Sequence, residues 1–281
     1  MKTFTFASRS LNLILLAFLP AAVFAQENVQ TQEYKPHVGQ EGKDVIWVPT
    51  PNGLVDKMLE IGKVTDKDIL IDLGSGDGRT VIAAAKIGAK ALGIEYNPDM
   101  VALSEKNARD SGVSERAKFI KADLFEYDFS EATVITMFLL PDINLKLRPR
   151  LLELKPGTRI VSNTFTMGDW EPDVEVTTEE NWNSWYTALM WVIPAKVSGT
   201  WDLDGNKLEL TQQYQMIHGS LNSGNSNLKI TDGRLDGENI TFTLEGAKYT
   251  GKVEGNKKMS GTVTSGSGVK EWVATLRTGS E

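Results

Sequence analysis

Apolar residues in the first two thirds of this chain fall into short runs separated by stretches of helical pattern. Ile69, Leu70, Ile71 and Leu73 form a run of the buried-strand type. It breaks at Gly74, Gly76 and Gly78, and the helix-forming stretch Val81 to Lys86 follows at once. Ala91 to Glu95 reads as a second strand, and Asn97-Pro98 opens a helix with Asn as cap and Pro in the first turn. Ala117 to Ala122 and Ala132 to Phe138 are further strands, as is Thr158 to Asn163 after the turn Lys155-Pro156-Gly157. Val174 to Thr177 and Tyr186 to Ile193 suit a closing antiparallel pair. Strands alternating with helices predict an α/β fold with a mostly parallel sheet.

The period changes near Pro194. Residues 195–281 hold no convincing helix pattern and show alternation instead, as in Lys207 to Thr211, Asn239 to Leu244 and Tyr249 to Val253. Turn signals recur at Asp204-Gly205, Asp232-Gly233, Asp236-Gly237, Gly255-Asn256 and Ser265 to Gly268. This predicts a small antiparallel β-barrel or sandwich. Gly199-Thr200-Trp201 at its first strand resembles the Gly-x-Trp opening of lipocalin-type barrels. No flexible linker follows Ile193, so the two parts are expected to pack together, the second as a structural appendage or a binding module.

Three alternate glycines between a strand and a helix are where chemistry is expected. Glycine allows positive φ and lets a ligand touch main chain, and a helix N-terminus offers free N–H groups to an anion. A dinucleotide site wants G-x-G-x-x-G, but the last of those positions is Arg79. The spacing is G-x-G-x-G, with Asp72 at the strand end. A carboxylate there would repel a pyrophosphate but accept from an ammonium, which suits S-adenosylmethionine (SAM), with its amino and carboxylate groups. Glu95 ends the second strand ~20 residues past the turn, where an acid can grip ribose hydroxyls. Asp123 ends the third, where it can accept from an adenine amine while Leu124 covers the ring. The candidate cofactor residues are Thr50, Asp72, Gly74, Ser75, Gly76, Gly78, Glu95, Tyr96, Asn97, Asp123 and Leu124.

At these residues the chain resembles the class I, seven-stranded SAM-dependent methyltransferases. Within them it is similar to the small lysine methyltransferases typified by the mitochondrial enzyme that modifies the c-ring protein of ATP synthase, and to their bacterial relatives. The resemblance rests on Val48 to Pro51 before a helix, Asp72 to Arg79, Val81 to Lys86, Gly93 to Pro98, Asp123 to Phe125, and Phe165 with Trp170-Glu171-Pro172. It implies a Rossmann-like seven-stranded methyltransferase sheet over residues 45–194, with SAM as cofactor. The eukaryotic members are membrane-anchored and intracellular, and they lack a tail like residues 195–281.

The N-terminus points elsewhere. Lys2 and Arg9 precede the apolar run Leu11 to Phe24, and Val23-Phe24-Ala25 places suitable residues at −3 and −1 of a cleavage site. A secretory signal peptide over 1–25, then a lead segment over 26–44, predicts a secreted or periplasmic mature protein. The run is too short for a lasting membrane span, which needs ~20 apolar residues. A net charge of −7 without a basic cluster argues against a nucleic-acid partner. With two histidines and no cysteine, neither a metal centre nor a Cys–His or Ser–His pair is expected.

Methyl transfer from a sulfonium mainly requires an aligned nucleophile and excluded water. A lysine nucleophile must be neutral, and its deprotonation at pH 7 costs about 4–5 kcal/mol from a reference pKa near 10.4. A dry channel would help, and aromatic walls attract an amine. Candidate lining residues are Pro51, Phe138, Pro141, Asn163, Phe165 and Trp170. Trp170, Trp182, Trp185 and Trp191 also suit packing at a domain junction. No residue stands out as a general base. The leading expectation is transfer to a protein lysine. A small-molecule or lipid methyltransferase is the enzymatic alternative, and a non-catalytic exported binding or scaffolding protein the other.

Overall fold

The run read as the first strand is β1 (Ile69–Leu73), buried at every position after the first. Continuous burial is what a central parallel strand needs when helices cover both faces. The computed structural model describes residues 1–3, 34–178 and 185–277. The signal-peptide expectation therefore falls almost wholly outside the described residues, as does Trp182. Residues from Tyr34 onward form one compact unit.

β1 lies between β2 (Lys90–Glu95) and β4 (Val134–Met137), parallel to both. β3 (Ala117–Lys121) is parallel outside β2, and β5 (Arg159–Asn163) parallel beyond β4. β7 (Thr187–Val192) runs antiparallel to β5, and β6 (Val174–Thr177) forms the edge. The order β3-β2-β1-β4-β5-β7-β6 makes a seven-stranded, mostly parallel sheet. Strand order reverses between β1 and β4, which opens a crevice at their C-terminal ends.

Helices α1 (Asn52–Ile61), α2 (Arg79–Ile87) and α3 (Pro98–Asp110) supply one apolar layer, with Leu54, Met58, Val81 and Ala108 in its core. α4 (Pro141–Leu151) supplies the other, where Leu147 and Leu151 meet Ile71, Ile135, Trp170 and Trp191. Asn97 caps α3 by accepting from the Asp99 N–H at 2.9 Å, as its sequence position requires.

The remaining strands are β8 (Gly199–Leu203), β9 (Asn206–Gln213), β10 (Met216–Ser223), β11 (Ser226–Lys229), β12 (Thr231–Asp236), β13 (Asn239–Leu244), β14 (Ala247–Glu254), β15 (Lys258–Ser265) and β16 (Gly268–Leu276). From β8 through β9, β10, β12, β13, β14, β15 and β16, each pairs with the next, and β16 pairs back with β8. The choice between barrel and sandwich thus resolves to a closed eight-stranded barrel, with β11 extending β10 on one side. A barrel of this size is just wide enough to be filled by its own side chains. Trp201, Phe242, Met259 and Trp272 fill it. One turn expectation fails: Asp232-Gly233 lies inside β12, at a register shift that makes a bulge. Asp232 takes φ 52, and a Cβ on Gly233 would come within 2.3 Å of the Ile217 carbonyl oxygen. Ala195 N–H donates to the Gly237 carbonyl at 2.8 Å, so the barrel begins against its neighbour without a free linker. No helix of the described residues is long and apolar enough to cross a membrane.

Candidate active site

The glycine turn is pinned before any ligand is considered. Gly74 and Ser75 N–H both donate to the Ile94 carbonyl, at 2.9 and 3.0 Å. Gly74, Gly76 and Gly78 take φ of 78, 55 and 82. Glu95 binds the turn to the second strand: its Oε2 accepts from Gly76 N–H and its Oε1 from Asn97 N–H, both at 2.9 Å. Ser104 closes the far side by donating to the Gly76 carbonyl at 2.8 Å.

Asp72 lies beneath the turn, 6% exposed, and accepts from Thr136 Oγ1 at 2.6 Å. Burial pushes its carboxyl up to about 7; Glu95 and Asp77 add to this, while the Thr136 hydroxyl opposes it. Asp123 is held below the usual carboxylate range, chiefly by a hydrogen bond from Lys43 and then by the Phe125 N–H. Lys43 pairs with Asp123 while its ammonium stands 4.8 Å from the centre of the Tyr96 ring. The Ser75 hydroxyl is buried without a protein partner.

These groups face one cavity of about 220 Å³. Thr50, Asp72, Gly74, Ser75, Gly76, Glu95, Tyr96, Asn97, Asp123 and Leu124 line it, and so do Phe138 and Phe165. One end is acidic and glycine-rich. The other is apolar: Phe138 stacks on Phe165 at 5.8 Å, and Trp185 meets Phe138 edge-on at 5.9 Å, beside Leu139 and Ile143. A wider groove of about 720 Å³ between α1, α2 and α3 shares only Asp77 and Arg79 with it.

Five candidates fall outside the cavity wall. Gly78 faces the packing side, where an added Cβ would come within 2.7 Å of the Phe119 ring. Asn163 is fully buried behind the wall and donates to Thr50 Oγ1 at 3.2 Å. Pro51 is buried at the start of α1, and Pro141 is exposed at the start of α4. Trp170 has no exposed surface at all: it packs against the barrel, the junction role that tryptophans also suit.

Among the lining residues that sequence reading missed, three stand out: Lys43, Trp47 and Trp185. Trp47 lies against Gly76, its Nε1 within 2.6 Å of where a Cβ would stand. Lys43 and Trp47 belong to a stretch with no periodic pattern. It is held by Gly39 N–H donating to the Trp47 carbonyl and by Trp47 N–H donating to that of Gln40. Trp185 was legible only as one of four packing tryptophans.

The arrangement fits SAM on its own chemistry. A carboxylate at Asp72 would hold the ammonium, Glu95 the ribose hydroxyls, and Asp123 with Leu124 the adenine, with the turn from Gly74 to Gly76 beside the methionine moiety. Fold and site together define a class I methyltransferase. A family profile described as the ANTKMT methyltransferase domain matches residues 72–174. The chain is 46% identical over 163 residues to the protein-lysine N-methyltransferase of Saccharolobus islandicus, covering 57% of this chain and 96% of that one. It is 36% identical over 105 residues to the adenine nucleotide translocase lysine N-methyltransferase of Mus musculus, covering 37% of this chain and 46% of that one. A solved RNA methyltransferase from Salinibacter ruber, in complex with S-adenosyl-L-homocysteine, is 50% identical, with a TM-score of 0.50 over 53% of this chain and 96% of that one. The chain belongs to the SAM-dependent methyltransferase family of the Saccharolobus enzyme.

Proposed function

We propose that this protein transfers the SAM methyl group to the ε-amine of a protein lysine. The observation that carries the reading is the aromatic end of the cavity. Phe138, Phe165 and Trp185 form a wall without a titratable group, continuous with the acidic end suited to the cofactor. SAM supplies an electrophilic methyl on a good leaving group. The chain's part is to orient the amine and keep water away. An aromatic wall draws an ammonium in, and the same dry surroundings lower the cost of shedding its proton. The aromatic wall itself holds no side chain that can take that proton, so the amine loses it to solvent on the way in. The names of the Saccharolobus and mouse relatives support a lysine acceptor. The net charge of −7 weighs against RNA.

The test is incubation of the purified protein with methyl-labelled SAM, poly-L-lysine, and envelope and cytosolic fractions. Methyl-lysine in acid hydrolysates is expected; label confined to RNA, lipid or a small molecule would overturn the reading. The site of action is proposed to be outside the cytosol, on the strength of residues 1–25. N-terminal sequencing of the native protein should then begin at Gln26, and an intact Met1 would refute export.

A further inference from the structure

Phe165, on the acceptor wall, sits on a loop whose far end is held by the barrel. The loop leaves β5 through Thr164, a non-glycine residue at φ 60. Asn144 of α4 donates to the carbonyls of Phe165 and Thr166 at 3.2 and 3.1 Å, and Arg148 to that of Met167 at 2.7 Å. Further along, Trp170 lies fully buried between Trp191, 6.1 Å away, and Tyr214, which stacks on it at 5.4 Å with the ring planes 15° apart. Its indole N–H donates to Gln215 Oε1 at 2.8 Å, and Gln215 Nε2 donates to the Glu171 carbonyl at 2.9 Å. The Tyr214 hydroxyl reaches Asp169 Oδ1 at 3.0 Å.

Tyr214 and Gln215 form the turn between β9 and β10. Tyr214 takes φ 53, an uncommon conformation for a large side chain, in the turn that lays its ring on Trp170. Gln215 is 4% exposed, with its oxygen and its nitrogen both engaged by the loop. A purely apolar contact could slide. A buried amide whose donor and acceptor each meet a single partner fixes register, because either group left unpaired in the interior is costly. Nearly all of the Saccharolobus relative is matched by 57% of this chain, which leaves no room for a barrel there. The clamp is therefore an addition to the methyltransferase unit.

We propose that the barrel turn Tyr214–Gln215 positions the acceptor wall. By fixing the loop from Phe165 to Glu171, it sets productive capture of the acceptor and leaves the cofactor half of the cavity unaffected. The identity of the acceptor rests on the lysine reading above; the clamp itself does not. Tyr214 and Gln215 are positioning residues, remote from the reacting atoms.

The experiment uses the full chain with three substitutions. Tyr214→Gly removes the ring where glycine takes positive φ without strain, Gln215→Met keeps length and removes both hydrogen bonds, and Tyr214→Phe is the conservative control. The first two should speed amide hydrogen exchange over residues 164–171 by about tenfold. They should lower kcat/KM for poly-L-lysine by about tenfold, with the calorimetric Kd for SAM unchanged. Tyr214→Phe, which keeps the ring on Trp170 and gives up only the hydroxyl contact to Asp169, should change either readout by no more than about twofold. Unchanged exchange in both variants, or transfer that falls only in step with SAM binding, would overturn the proposal; so would faster exchange with undiminished transfer. If the wild-type protein binds SAM but labels no poly-L-lysine, the lysine reading fails, and the exchange comparison then decides the clamp alone.

Discussion

Asp72 carries its high pKa because its carboxyl is buried and two further acids, Glu95 and Asp77, stand nearby. With an ordinary value of 3.8 and a folded value of about 7, its protonated form favours the fold fully below pH 4, and that advantage is lost as pH rises through 7. Asp72→Asn should therefore stabilise the free protein at pH 8 and change little at pH 4, as thermal melts at the two values would show. SAM binding has the opposite demand, since an ammonium favours the ionised acid. Wild-type affinity for SAM should fall as pH drops below 7, by at most about tenfold per unit, and calorimetry of the Asn variant should give a weak, pH-independent affinity. Glu95→Ala should weaken SAM binding by about 2–3 kcal/mol through loss of a charged acceptor. Unchanged affinity in a folded variant would reject the ribose role. These acids were legible because each ends a parallel strand, and parallel strands bring their C-terminal ends to one edge. Lys43 and Trp47 were not, because no repeat in the chain ties residues 40–50 to that edge.

At the scale of elements, strand and helix boundaries followed periodicity closely in the methyltransferase unit, since burial on both faces leaves uninterrupted apolar runs such as Ile69 to Leu73. The barrel was harder. Asp232-Gly233 has the composition of a hairpin turn, yet it forms a bulge within β12, where Gly233 backs onto the Ile217 carbonyl. Composition states only that positive φ is tolerated there; whether the chain reverses depends on which strand lies alongside. Gly233→Val should destabilise the barrel by about 1–3 kcal/mol through overpacking against backbone, read from denaturant unfolding. The same substitution in a true exposed turn, as at Gly205, where nothing lies within 4 Å, would meet no such steric obstacle and only the strain of φ 80.

For the whole molecule, the junction of Trp170, Trp191, Tyr214 and Gln215 makes the methyltransferase unit and the barrel mechanically one. Heating should melt both in a single cooperative transition, with calorimetric and van't Hoff enthalpies in agreement. Two separate transitions would show that the junction couples them weakly. The local order of apolar runs, glycines and strand-end acids by itself determined the α/β class, the barrel-like tail and the cofactor edge, because those depend on periodicity and on chain reversal within some tens of residues. Only tertiary structure decided that Trp170 serves the junction and Trp185 the cavity, and that Trp47 covers Gly76. It also decided that the tail closes into a barrel whose turn reaches the acceptor loop. The reason is physical: tryptophan is suited equally to either environment, and which one it meets is set by contacts between residues far apart in the chain, such as the 45-residue separation of Trp170 and Gln215.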